Sequence, residues 1–303
     1  MRAALLALSL CVCSVSAQAQ RPAKPYTVTR LADGVYLFSA YFYSSLFIVT
    51  SGGVIATDPI SPKVAGLYLQ AIESLTDKPV RYVIYSHDHT DHIAGGAVFA
   101  STAQFIAQEN ARVNILARGN PAIVTPQITF KDRYELKLGG KEVRLLYFGE
   151  NHSNSNIAIY LPAEKILMMV DMVYPGSVPF RDLPGTDIRK YLDTLRRLRE
   201  VDFKILLYGH GPPGAKQWVD RYIAYFDDLI AEARKLRQEM SYEEMVEEHQ
   251  GSADVRELFD LYVERVAERA VEALRPKYGR WGGYDEWAVM NARRIVLFLI
   301  MDG

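Results

Sequence analysis

A chain of 303 residues, 49% hydrophobic and 23% charged, can bury a large core, and its composition excludes a disordered, collagenous or disulfide-stapled protein. With 35 basic against 36 acidic side chains and a net charge of −1, it lacks the electrostatic motive for binding DNA, RNA or an anionic membrane surface. The expected partner is a small-molecule substrate.

Met1-Arg2 is followed by an apolar run from Ala3 to Val12 and by Ala17-Gln18-Ala19. This is the pattern of a secretory leader, residues 1–19, cleaved after Ala19. The run falls short of the ~20 residues that span a bilayer. Cys11 and Cys13 both lie inside the leader, without the small preceding residue that lipid attachment wants. The mature chain is then free of cysteine, with no disulfide and no thiolate ligand or nucleophile. A periplasmic or secreted protein without a membrane anchor is expected.

From Tyr26 to Thr57, runs rich in Tyr, Phe, Val and Ile are broken at Gly34 and Gly52-Gly53, which predicts short strands. Ser61-Pro62 reads as an N-cap and first helical residue, with Val64, Leu67, Tyr68, Ala71, Ile72 and Leu75 at helical spacing. Pro79 to Tyr85 is a β-branched strand. Gly95-Gly96 is expected to open another helix, and Ala122 to Phe148 a hairpin turning at Gly139-Gly140. Strands follow at Ile157 to Leu161 and Lys165 to Val170, a charged helix at Asp187 to Arg199, and a strand from Phe203 to Tyr208. After Pro213 nearly all the chain carries helical periodicity rich in Glu, Arg and Lys. The expected organisation is an α/β catalytic domain over 20–214 with a helical C-terminal extension over 215–303.

The strongest chemical signal is His87-Asp88-His89-Thr90-Asp91-His92 at the end of a strand. Imidazoles two apart in such a loop can turn to one metal, while the adjacent Asp91 and His92 face a second. His152, Asp171 and His210 each follow a later strand, so five of the six histidines join one pattern. The sixth, His249, lies in a charged helical stretch and reads as a surface residue. Imidazole and carboxylate donors suit zinc, and also iron or manganese. No G-x-S-x-G elbow offers a competing serine nucleophile.

In these elements, from Tyr26 to Gly214, the chain resembles the metallo-β-lactamase superfamily. The resemblance implies a four-layered αβ/βα sandwich with two metals, zinc foremost, on its rim. His87, His89 and His152 would hold the first, Asp91, His92 and His210 the second, and Asp171 would bridge both. It further implies that Asp58 and Asn156 back the ligands. A water between the cations would become hydroxide near neutral pH, oriented by Asp91, and attack a polarised carbonyl.

The departures sort the branches. One subclass of zinc β-lactamases has cysteine at the position of Asp171 and a substrate-gripping lysine at that of Tyr174, although His152-Ser153-Asn154-Ser155-Asn156 is similar to its third-histidine motif. A bridging carboxylate is similar to that of glyoxalase II and of the lactonases, which also carry a tyrosine placed like Tyr174 to assist the substrate carbonyl. A lactone, thioester or related ester is therefore the expected substrate, with a β-lactam as the alternative. A mononuclear-iron persulfide dioxygenase and a non-catalytic metal-binding module are the remaining readings. Trp218, Tyr222, Tyr225 and Phe226 form a helical stripe in the extension, as do Leu258, Tyr262 and Val266. Packing against the domain is expected of them, or else a homodimer surface or a wall of the cleft.

Overall fold

A computed structural model of the protein describes residues 25–184, 186–249 and 254–302. The expected leader lies outside them. Two β-sheets stack face to face. The first runs in spatial order through seven strands: β1 (Tyr26–Ala32), β2 (Val35–Ala40), β3 (Tyr43–Thr50), β4 (Gly53–Thr57), β5 (Val80–Ile84), β6 (Gln104–Gln108) and β7 (Ile128–Phe130). Antiparallel pairing up to β4 gives way to parallel pairing from β4 to β7. Parallel neighbours need crossovers, and these are helices: α1 (Pro62–Glu73), the four-residue α2 (Thr90–Ile93) and α3 (Glu109–Arg118). Ser61 accepts from the Val64 N–H at the start of α1, with Pro62 at its first position.

The second sheet contains β8 (Arg133–Leu138), β9 (Lys141–Leu146), β10 (Ala158–Leu161) and β11 (Ile166–Met169), all antiparallel. Helix α4 (Ile188–Glu200) then crosses over to β12 (Ile205–Leu207), parallel to β11, and β13 (Gly214–Ala215) closes the edge. Four helices follow: α5 (Gln217–Glu239), α6 (Tyr242–Glu248), α7 (Val255–Tyr278) and α8 (Tyr284–Met301). No helix among the described residues is long and apolar enough to cross a membrane.

Three core layers result, which is the αβ/βα sandwich. Alternate residues such as Ile48, Ile55 and Ile106 meet Leu145, Ile159 and Met168 between the sheets. Phe47, Phe105 and Tyr68 fill the space between the first sheet and α1. On the outer face of the second sheet, Leu167 and Leu206 share one cluster with Leu195 of α4, Phe226 of α5, Val266 of α7 and Ile295 of α8. Each such side chain contributes roughly 1.5–3 kcal/mol by leaving water. The helices after residue 214 therefore complete the domain's own core, and the stripe residues Tyr222, Tyr225, Phe226, Tyr262 and Val266 are all buried in it.

Two local expectations are corrected. Gly95-Gly96 opens only a short 3-10 turn, Gly96–Phe99. A Cβ at Gly95 would stand 2.4 Å from the Pro59 carbonyl oxygen, so this glycine permits a close backbone approach rather than starting a helix. The hairpin begins at Arg133, because Ile128–Phe130 pairs with β6 in the first sheet.

Candidate metal centre

Every ligand-type residue stands where a strand ends on one rim of the sandwich. The segment after β5 turns at once into α2, with His89 as its N-cap. Asp171, just past β11, adopts a left-handed backbone with φ 59°. His210 sits between glycines, and a Cβ on Gly209 would lie 2.7 Å from Val170 Cγ1 and 3.3 Å from the His92 ring, so no larger residue fits there.

The donors fall into two groups. His87, His89, His152 and Asp171 present ligand atoms within 4.8 Å of one another, and Asp91, His92 and His210 do the same. Asp171 reaches both. Its Oδ2 is 3.7 Å from His87 Nε2, 3.4 Å from His152 Nε2 and 3.3 Å from His92 Nε2, while Oδ1 is 2.9 Å from His210 Nε2. His89 Nδ1 and His152 Nε2 converge to 3.1 Å. The Nε2 atoms of His87 and His92 are buried without a hydrogen-bond partner, a costly condition that a cation relieves. The residues therefore fit divalent metal, with imidazole and carboxylate donors.

Electrostatics agrees with a ligand role at His87, His152 and Asp171. At His92 the lowering effect of burial is outweighed by Asp171 and Asp58, which raise it well above the usual histidine range, so that it sheds a proton to bind metal. Burial, then the imidazoles of His92, His152 and His89, hold His87 well below the usual histidine range, and burial lowers His152 to about 4. Both are thus neutral, the form that binds metal. Burial would raise Asp171, but His92 and His210 outweigh it and keep the carboxylate ionised.

Behind the ligands, the fully buried Asp58 accepts from the Ser86 N–H at 2.7 Å and the Ser86 hydroxyl at 2.6 Å. With its proton given to Asp58, Ser86 Oγ is left to accept from His87 Nδ1, 2.9 Å away, which leaves His87 Nε2 bare for a cation. Asp58 Oδ2 also lies 3.4 Å from His92 Nδ1. Asn156 touches no ligand side chain among the contacts seen. It donates to the Val170 carbonyl at 2.8 Å and to Asn151 Oδ1 at 3.1 Å, and Asn151 Oδ1 in turn takes the His152 N–H. Asn156 thereby ties the loop of His152 to the backbone before Asp171.

Two features escaped the sequence reading. Tyr43, the first residue of β3, donates to Asp91 Oδ2 at 3.3 Å and packs its ring beside His92 and His210. Burial, then Asp91, pushes its hydroxyl up to about 12, so it stays a donor. Asp88, inside the histidine motif, is buried and bound by Arg118 of α3 and by the Ser155 hydroxyl. Asn110 and Asn114 of the same helix hold Asn154. Helix α3 thus grips both loops that carry His87, His89 and His152. Nothing in local spacing marks Arg118, which lies 30 residues from Asp88. Arg118→Ala is expected to weaken binding of one metal equivalent about 10–100-fold, the usual cost of losing support behind a ligand. Chelator competition against both equivalents would measure it, and an unchanged affinity would deny α3 this role.

A two-sheet sandwich with paired His/Asp groups on its rim defines a class of metal-dependent hydrolases. The sequence profile of the metallo-beta-lactamase superfamily matches residues 40–210, and the chain belongs to this family. Among curated relatives, 2,4-dinitroanisole O-demethylase subunit alpha of Nocardioides sp. is 32% identical over 60% of this chain and 55% of its own length. Metallo-beta-lactamase type 2 of Elizabethkingia meningoseptica is 25% identical over 68% of this chain and 85% of its own. The chain spans about half the length of the first relatives it matches. A solved metallo-beta-lactamase from Pontibacter korlensis superposes with a TM-score of 0.58 at 20% identity, covering 66% of this chain and 97% of that one. This last likeness is one of fold.

Proposed function

We propose that the chain is an exported dinuclear zinc hydrolase that opens an activated carbonyl in a lactone, thioester or related ester. The observation that carries this reading is Asp171, one carboxylate within reach of both donor groups. Two cations held there would supply an acidified water and a Lewis acid for the carbonyl oxygen. Asp91, with its side chain half exposed and one oxygen engaged by Tyr43, is placed to orient the attacking water and take its proton. The carbonyl carbon gains that oxygen, its bond to the leaving oxygen or sulfur breaks, and the proton passes to the leaving group. Tyr174 donates to Asp171 Oδ1 at 3.1 Å, and burial, then Asp171, keeps its phenol protonated. It can turn that proton toward the substrate oxygen.

Tyr174→Phe should lower kcat/KM for a lactone about 10–100-fold through lost transition-state stabilisation, with metal content unchanged, and leave cephalosporin turnover nearly untouched. Equal losses on both substrates would give Tyr174 a purely structural part. A second reading, hydrolysis of an activated aryl ether, is favoured by the 32% identity to a protein named for O-demethylation of 2,4-dinitroanisole. The deciding experiment compares kcat/KM of the zinc-loaded protein on an acyl lactone, a chromogenic cephalosporin and a nitroaryl methyl ether. A dominant lactone rate supports the proposal, and either other substrate in the lead replaces it. Export is tested by fractionation, with a periplasmic or secreted chain beginning at Gln20 as the expected product.

A further inference from the structure

The segment after Asp171 that walls the centre is fastened by the C-terminal helices at several points. Asn291 of α8, 0% exposed, donates to the carbonyls of both Pro179 and Arg181. Its own oxygen accepts from Tyr225 of α5 at 3.0 Å. Tyr222 of α5 accepts from the Tyr174 N–H at 3.0 Å and bonds the Ser177 carbonyl at 2.9 Å. Gly282 exchanges backbone hydrogen bonds with Gly176 and Val178, and the Phe180 ring stands edge-on to Trp287 at 5.1 Å.

These fastenings hold a backbone that would not keep its shape alone. Arg181 and Leu183 both have left-handed backbones, φ 51° and 52°, an unfavourable state for residues with a Cβ and one that persists only where the surroundings impose it. Phe180, Leu183 and Pro184 of this segment share a cavity with two of the candidate metal ligands. His152, Asp171 and Tyr174, with Phe180, Leu183, Pro184 and Tyr191, line a small, partly open cavity of about 20 Å³, room for a methyl group or one water. Phe180 is 45% exposed, so it forms the outer lip.

We infer that the Tyr225–Asn291 pair is a positioning device that fixes Phe180 and Leu183 beside the metal centre and narrows the space next to the carbonyl, so that compact acyl groups, a small lactone ring among them, are favoured over long linear chains. The inference rests on the proposed carbonyl hydrolysis, in which Tyr174 serves the substrate oxygen and the space it lines together with His152 lies beside the carbonyl. A hydrogen-bonded asparagine suits this task better than packing alone, since two directed N–H groups define where the carbonyls of residues 179 and 181 must lie. The same pair gives the C-terminal helices a part in specificity, besides their part in the core.

The test uses the full zinc-loaded chain and p-nitrophenyl acetate, butyrate and hexanoate, together with hydrogen exchange over residues 177–184. The wild-type protein should prefer acetate, losing on the order of 10-fold in kcat/KM with the first methylenes that overfill the site. Phe180→Ala, at the exposed lip, should recover the longer esters relative to acetate about 10-fold through KM, with metal content retained. Tyr225→Phe removes one hydroxyl while keeping the ring, and should speed exchange of 177–184 at least several-fold while α5 and α8 stay protected, with weaker discrimination against hexanoate. Asn291→Ala should do both more strongly, and if it fails to fold the other two variants carry the test. Unchanged exchange in Tyr225→Phe, or a wild-type protein indifferent to acyl length, overturns the inference. A protein that hydrolyses no ester of the series defeats the proposed carbonyl chemistry instead, while the exchange result still reports on the pin.

Discussion

Asp171→Ala is expected to abolish hydrolysis, with a loss above about 10³-fold, and to remove at least half of the metal that the wild-type protein binds. The size follows from its position. No other side chain among the described residues lies within 4 Å of the imidazoles of His87, His92, His152 and His210 through a single carboxylate. Support behind a ligand is worth about 10–100-fold in affinity, so losing the shared ligand itself exceeds that. The negative charge also vanishes from a buried cluster of imidazoles, where any cation held by them would lose its one shared carboxylate. Asp171→Asn keeps the volume and separates charge from packing: it should lose metal nearly as completely while retaining the fold. Metal analysis of the purified variants, with circular dichroism as the control for folding, makes the comparison. Retained activity in either variant would refute the site assignment.

Asp58→Asn should weaken binding to the first donor group by about 100-fold without replacing any residue of that group. The cause is a reversal of proton direction. Asp58 can only accept, so the Ser86 hydroxyl donates to it and is left to accept from His87 Nδ1. An amide NH₂ at that place donates to Ser86, whose proton then turns toward His87 Nδ1. The proton of His87 moves to Nε2, the atom the metal requires. Asp58→Ala leaves the Ser86 N–H unsatisfied inside the protein, its hydroxyl keeping only His87 Nδ1, and should cost about 1–3 kcal/mol of stability besides. Isothermal titration with zinc and urea unfolding of the metal-free proteins separate the two effects. If Asp58→Asn bound both equivalents as tightly as wild type, the Asp58–Ser86–His87 relay would have no part in preparing the site.

Much of this chemistry is legible along the chain because metal sites impose short-range spacing. His87, His89, Asp91 and His92 lie within six positions, and His152, Asp171 and His210 each follow a recognisable apolar strand. Helices α1 and α4 are legible for a similar reason: Ser61 and Asp187 cap them through contacts to residues three positions on. The αβ/βα class also follows from alternating strands and helical stripes. Local pattern reports local hydrogen bonding, and there it succeeds.

What depends on contacts across many residues was decided only when the layers closed. Gly95 looked like a helix start and proved to be a point of backbone contact with Pro59. Strand β7 could belong to either sheet by its composition, and pairing with β6 settled it. Arg118 on Asp88, Tyr43 on Asp91 and Asn291 on the carbonyls of Pro179 and Arg181 join positions 30, 48 and up to 112 residues apart. Family and candidate donors, with their order along the chain, are readable without coordinates. Tertiary structure alone decided which donors share a group, which protons face them and how wide the neighbouring cavity is, because each of those is set by packing between layers.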